Sequence, residues 1–513
     1  MSHRHLATTF CFVLIAFLPL LSLTSPPPPS SLLILNAQLA DGTGAPLRKA
    51  NVRIALNHIV GIGELQPEKG EPTLDAHGLV LAPGFIDIHN QSASGLQKDP
   101  LAETQISQGI TTVIVGADGE SPWPLIGWVR ALQQYPAAVN VGDFAGHTTI
   151  REQVMGKDFK RPAKPEEIQQ METLTAMAMN QTALGLSSGL EYEGGSYSEF
   201  KELVSLAKVA AARGGIYMTH IRDEGDKSLE ALNEEIAIGE QAHIPIEHSH
   251  IKLATAGVWG KAAQYIKVIE DARKRGVDFL ADCYPYDSWY SNLKVVVPDK
   301  QYENPNSVRK ALENLGGASH LLIAEFPPDK SYEGHSLADL AKANKLSDVD
   351  MCIRLIREGD KVGHEASVFA QAMMETDIKA FYQQPWVMVA SDGEINCRHP
   401  SCTGTFPRVL GLLVREKHWL TLPEAVRKMT SLPAKRLNWK DRGVIREGTF
   451  ADLVLFNPDT VTDRATYASP FTLSTGIEKV FVNGVLVWDT GKPTGVRPGL
   501  FLGVNGTVNQ LLD

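Results

Sequence analysis

Short apolar runs ending in histidine or aspartate recur through the middle of this chain, separated by longer stretches with the 3.6-residue periodicity of amphipathic helices. The runs at 85–89, 112–116, 139–143, 183–187, 216–220, 244–250, 278–283 and 386–392 have the length and apolar content of buried strands. Residues 198–213 and 228–241 typify the helical stretches, the second with Asp226 placed as its cap. Such alternation forces parallel pairing, because a strand regains its direction only through a crossover. Eight units of this kind close a barrel. The chain is therefore predicted to be α/β, with a (β/α)8 TIM barrel over residues 83–443. One gap, 284–385, is too long for a crossover, so an insertion is expected at about 290–375, before the last barrel strand, over the barrel mouth.

Both flanks have a different texture. Strand-like runs at 32–35, 50–54, 59–62 and 79–82 are matched near the other end by 452–456, 479–482 and 485–488, the last two joined by Asn483-Gly484 as a tight turn. One small β-sandwich domain built from residues 26–82 and 444–513 is the economical reading. Residues 1–25 are of another kind: Arg4 lies between two histidines, and 6–23 are almost wholly apolar, followed by Pro26–Pro29. That pattern predicts a signal peptide, or an uncleaved N-terminal anchor with membrane attachment, and hence an exported, periplasmic or extracellular protein. Export would allow Cys397 and Cys402 to pair; otherwise they are two free thiols. The glycosylation-type triplets at Asn90, Asn180 and Asn505 are read as chance.

With 513 residues, 43% of them hydrophobic, the chain can fill more than one core, and a net charge of −10 supplies no reason to expect a nucleic-acid partner. No CxxC pair suggests a structural zinc site. The chemistry sits at the strand ends: Asp87-Ile88-His89-Asn90-Gln91, Ala117-Asp118-Gly119, Thr219-His220, His248-Ser249-His250 and Ser391-Asp392-Gly393. In a parallel barrel all of these share the C-terminal rim, where barrel active sites lie. A single histidine at a strand end is more often a satisfied polar residue. No packing argument asks for histidines and carboxylates from five strands together, and nitrogen and oxygen donors of this kind suit zinc.

The stretches Ala82-Pro83-Gly84-Phe85-Ile86-Asp87-Ile88-His89, Gly185-Leu186-Ser187-Ser188-Gly189-Leu190, Thr219-His220-Ile221-Arg222-Asp223-Glu224-Gly225, Tyr284-Pro285-Tyr286 and Gly404-Thr405-Phe406-Pro407-Arg408 resemble the amidohydrolase superfamily, and within it the N-acyl-D-amino-acid deacylase (D-aminoacylase) family. The resemblance runs in order from about residue 32 to 502. It implies a metal-dependent amidohydrolase acting on small-molecule N-acyl-D-amino acids. It places His220 and His250 on the barrel histidine ligands, and Asp118 where the family commonly has cysteine. A carboxylate in that place makes the site harder, open to manganese or nickel as well as zinc. His89 matches the first histidine of a strand-one pair whose second member is here Gln91. One tight metal on Asp118, His220 and His250 is therefore expected, with His89 a weak-site ligand or a water-orienting neighbour. Asp392 matches the catalytic aspartate; Tyr192, Lys252 and Tyr284 match substrate-binding positions. Asp282 is expected to orient a neighbouring group, and Arg398 is an alternative cation for the substrate. The resemblance leaves oligomeric state open. Two other readings stand beside it: a cyclic-amide hydrolase of the hydantoinase or dihydroorotase type, whose second strand-one histidine and bridging lysine are not evident, and a non-catalytic exported binding protein on the same barrel.

Overall fold

The computed structural model describes residues 31–504, 506 and 507. The expected signal or anchor segment and the Asn505 triplet lie outside the described residues.

Eight parallel strands form the centre: β1 (Phe85–Asp87), β2 (Ile110–Val115), β3 (Asn140–Asp143), β4 (Gly185–Gly189), β5 (Ile216–His220), β6 (Ile246–His248), β7 (Phe279–Cys283) and β8 (Val387–Val389). Every residue of β2, Ile-Thr-Thr-Val-Ile-Val, is buried, as both faces of a parallel sheet wrapped by helices require. The strands pair in the order β1-β2-β3 and β4-β5-β6-β7-β8. Two seams close the ring. Asn90 bridges Gly393, with Gln91 N–H donating to the Gly393 carbonyl at 2.8 Å, and so joins β8 to β1. Leu184 N–H donates to the Asp143 carbonyl at 2.8 Å, and Ala145–Gly146 pairs with β4, so β3 meets β4.

Strands from the two chain ends share one nine-stranded sheet in which Leu453–Phe456 pairs antiparallel with Val80–Pro83. The sheet folds back so that His58 bridges Phe450, enclosing a core that includes Ile34, Val52, Ile59, Leu81, Leu453 and Phe481. Val80–Pro83 runs through Gly84 directly into β1, which ties this layer to the barrel.

The long gap before β8 holds an antiparallel three-stranded sheet (Trp289–Asn292, Leu321–Glu325 and Ser367–Ala370) with helices Pro305–Asn314, Leu337–Asn344 and Asp348–Val362. It has its own apolar core, including Leu321, Ile323, Leu355 and Val368. Ser347 caps the third helix by accepting from Asp350 N–H. The helix Ser228–Ala242 has no such cap: Asp226 does not serve it, and Asp223 instead accepts from the backbone N–H groups of Gly225 and Lys227, folding the turn ahead of the helix.

Candidate metal centre and active site

Three rim residues adopt left-handed backbone: Asp118 (φ 55°), His250 (φ 37°) and Asp392 (φ 49°). Non-glycine residues there cost on the order of 1–3 kcal/mol each and persist only where the surroundings over-determine them. This is why β6 and β8 stop short of the expected ends at 250 and 392: the backbone turns out of the sheet to aim these side chains across the mouth. The turns are braced. His250 N–H donates to Asp282 Oδ1 at 2.9 Å, and Asp392 N–H to the His89 carbonyl at 3.1 Å. Ser391 donates to Asp87 from its backbone (2.9 Å) and its hydroxyl (2.6 Å). Gly116, just before Asp118, also has positive φ (78°), and a Cβ there would lie 2.7 Å from the Phe144 carbonyl oxygen.

The expected ligands gather in two overlapping groups, with Asp118 in one and His220 in the other. His220 Nδ1 lies 3.0 Å from His250 Nε2, and His250 Nε2 lies 3.9 Å from Asp118 Oδ1. His89, Asp118, His250 and Asp392 each offer a ligand atom within 4.8 Å of the others, as do His220, Glu224 and His250. His250 belongs to both groups. Asp118 Oδ1 is buried and has no hydrogen-bond partner. A buried carboxylate oxygen without a hydrogen-bond partner, 3.9 Å from an imidazole nitrogen, fits a bound divalent cation of the zinc type.

The outer nitrogens of the same rings are held by carboxylates. His220 Nε2 is 2.9 Å from Glu191 Oε2, and His250 Nδ1 is 3.1 Å from Glu224 Oε1. Partners of this kind fix the tautomer and turn the other nitrogen towards a metal. His89, fully buried, sits with Nε2 3.3 Å from Asp118 and 3.2 Å from Asp392. Its Nδ1 is 3.4 Å from Asp282 Oδ2. Burial works against a charge on the His89 ring, but Asp118, Asp282 and Asp392 outweigh it and hold its pKa well above the usual histidine range. Burial likewise opposes ionisation of Asp392, yet His89 and His250 keep it below the ordinary carboxylate range. Glu224 is held well below that range against its burial by His220, Lys252 and His250. Burial and the surrounding carboxylates push Tyr192 well above the usual phenol range, so it stays an O–H donor.

Two cavities of about 610 Å³ each meet at this centre, sharing Tyr192, Tyr284, Tyr290 and Asp392 in their walls. The first is lined by Gln91, Gln97, Glu120, Trp128 and His399, and among the described residues no lysine or arginine lines it. The second runs beneath the insertion, past Lys252, Trp289, Val296 and Leu315. Lys252 reaches it with its ammonium already 2.7 Å from Glu224 and 2.8 Å from His250 Nδ1, so its charge is shared. Arg398 is no free cation for a substrate: it donates to the Ala324 carbonyl at 3.3 Å and pairs with Glu333 at 3.2 Å. Cys397 and Cys402 form a disulfide that closes the loop after Asp392. Asn90 is buried and donates to Asp87, which removes it as a glycosylation site. Glu191 and the amide contact of Gln91 with Asp118 were not anticipated. In sequence, an acidic residue just past β4 looks the same as a solvated one, and only the arrival of His220 beside it gives it a role.

A barrel gathering imidazoles and carboxylates from separate strands on its C-terminal rim, beside a buried carboxylate oxygen without a hydrogen-bond partner, has the build of a metal-dependent hydrolase. The amidohydrolase family model matches residues 73–290 and 307–488. An N-acyl-D-glutamate deacylase from Alcaligenes xylosoxydans xylosoxydans is 36% identical over 495 residues, spanning 92% of this chain and 96% of its own. A D-aminoacylase from the same organism is 33% identical, over 92% of this chain and 98% of its own. The crystal structure of an N-acyl-D-glutamate deacylase from Bordetella bronchiseptica, complexed with zinc and a phosphonate mimic of the tetrahedral intermediate, superimposes with a TM-score of 0.83 at 33% identity, covering 92% of this chain and 98% of that one. The chain belongs to the N-acyl-D-amino-acid deacylase family of the amidohydrolases. A D-hydantoinase, at 16% identity and TM-score 0.56, shares the fold alone.

Proposed function

We propose that this protein hydrolyses the amide bond of N-acyl-D-amino acids with one tightly bound zinc. The observation that carries the reading is the buried Asp118 Oδ1 without a hydrogen-bond partner, 3.9 Å from His250 Nε2, which in turn lies 3.0 Å from His220 Nδ1. Those three residues would hold the ion; when bound, it activates a water and polarises the scissile carbonyl. Asp392, ionised and 26% exposed at the waist between the two cavities, accepts the proton of the attacking water and returns it to the leaving amine nitrogen. Tyr192, whose ring lies 4.5 Å from that of His220, donates its O–H to the oxygen that gains charge. The lid-side cavity holds Lys252 with Tyr284 beside it, so the substrate carboxylate is assigned there and the acyl group to the cation-free cavity.

Export is part of the same proposal. It is supported by the N-terminal apolar run of the sequence and by the Cys397–Cys402 disulfide, which persists in oxidising compartments. Among the described residues no helix is long and apolar enough to cross a membrane. The decisive assay measures hydrolysis of matched N-acyl-D- and N-acyl-L-amino acids by protein of known metal content. Turnover of D-substrates that tracks zinc supports the reading; zinc-replete protein inert on both series rejects it.

A further inference from the structure

We propose that Gln91 is a positioning residue of the metal centre: its side-chain amide holds one oxygen of Asp118 so that the other is presented to the cation shared by His220 and His250. The inference rests on the one-cation reading above. Gln91 Nε2 donates to Asp118 Oδ2 at 2.9 Å, and the same nitrogen lies 3.4 Å from His89 Nε2. The other oxygen, Oδ1, is the buried one without a partner, on the side of His250 Nε2.

Rotation of a carboxylate about its terminal torsion meets only a broad, shallow barrier, so the side chain by itself does not decide which oxygen faces where. A fixed donor on one side decides it. The amide orientation follows from the acceptor: a carboxylate oxygen takes a hydrogen bond from the –NH2 end of glutamine and not from its carbonyl. Gln91 is itself well anchored, because its backbone N–H closes the barrel seam onto Gly393 at 2.8 Å. His89 Nε2 lies 3.3 Å from the same oxygen, so Gln91, at 2.9 Å, shares the hold on Oδ2 with that ring.

The same amide has a second consequence. An ion bridging His89 Nε2, Asp118 Oδ2 and Asp392 Oδ1 would need the oxygen to which Gln91 donates. With an N–H aimed there, that oxygen has one lone pair fewer to give an ion at His89, which weakens such a site relative to the one on Oδ1.

The test uses the full-length protein stripped with a chelator and titrated with Zn2+ by equilibrium dialysis and with Co2+ by visible absorption. The variants are Gln91→Met, which keeps the length and loses the donor, and Gln91→Ser, should the first fail to fold. Wild type is expected to bind one ion. The variants are expected to bind it about 10- to 100-fold more weakly, with an altered Co2+ spectrum, as losses of ligand-orienting partners do. In an Asp118→Ala background the Gln91 substitution should change nothing further. Unchanged affinity and spectrum in the variants, an equal weakening without Asp118, or two tight ions in wild type would overturn the inference. Wild type that takes up no divalent ion would instead overturn the one-cation reading beneath it.

Discussion

Two buried polar clusters, one at the rim and one at the joint between the barrel and the terminal sheet, differ in how their charges balance. At the joint, Asp452 Oδ1 accepts from Asn483 N–H at 2.7 Å and Oδ2 from Asn140 Nδ2 at 3.2 Å, while Arg442 pairs with the same carboxylate. Asn483 Nδ2 donates in turn to Asn140 Oδ1 at 2.8 Å. One carboxylate meets one guanidinium, and both carboxylate oxygens are matched. At the rim, Asp118, Glu191, Glu224, Asp282 and Asp392 surround three histidines and Lys252, and Asp118 Oδ1 has no hydrogen-bond partner. A closed, neutral network is what stability asks of buried polar groups; a surplus of carboxylates with one oxygen left without a hydrogen-bond partner fits a cation site.

The sharpest way to separate the two is at Asp392. Asp392→Asn should lower kcat by about 10³-fold, or about 4 kcal/mol, while zinc content stays near wild type; metal analysis of the same sample checks it, and near-normal turnover would remove Asp392 from proton transfer. The converse change is Asp452→Ala. It leaves Arg442 buried against Phe450, whose ring centroid lies 3.9 Å from the guanidinium carbon, and should cost about 3–5 kcal/mol of stability with metal content per folded chain unchanged. Denaturant unfolding measures the first part and dialysis against zinc the second.

A smaller effect comes from His399, beside the disulfide loop. Burial pushes its pKa down to about 4, and it donates from Nε2 to the Ser288 carbonyl while Nδ1 accepts from Ser401 N–H. The folded chain therefore binds fewer protons here than the unfolded chain, so this contribution to stability is full above pH ~6.5 and is lost as the pH falls through about 4. It amounts to about 3 kcal/mol at most. In His399→Asn the slope of stability against pH between 4 and 6.5 should flatten; an identical slope would show that other groups set it. Smallest of all, Tyr192→Phe should lower kcat by about 10- to 100-fold with little change in KM or zinc affinity, since the phenol acts on the charge formed during reaction. A matching loss of zinc would place Tyr192 among the groups that build the centre.

Much of this was legible in the chain. The eight strand runs and the insertion before the last could be placed because each is a local pattern of apolar residues and turn signals. His89, Asp118, His220, His250 and Asp392 stood out because chemistry at the ends of parallel strands must share one rim. The strand ends were read too long at 250 and 392 because an L-residue in left-handed backbone leaves no mark in composition; it is imposed by Asp282 and the His89 carbonyl from other strands. Arg398 seemed available for substrate because its partner, Glu333, lies 65 residues away in the insertion.

The sequence by itself determined the barrel, its flanking sheet and the donor types at the mouth, since periodicity and strand-end chemistry are carried by neighbours along the chain. The tertiary structure decided which oxygen of Asp118 is left without a hydrogen-bond partner, that His250 Nε2 lies beside it, and that Glu191, Glu224 and Gln91 hold these groups in place. Those are contacts of about 3 Å between residues 26 to 29 positions apart. Hydrogen-bond direction at that range depends on how whole strands are set against one another, and no local pattern encodes it.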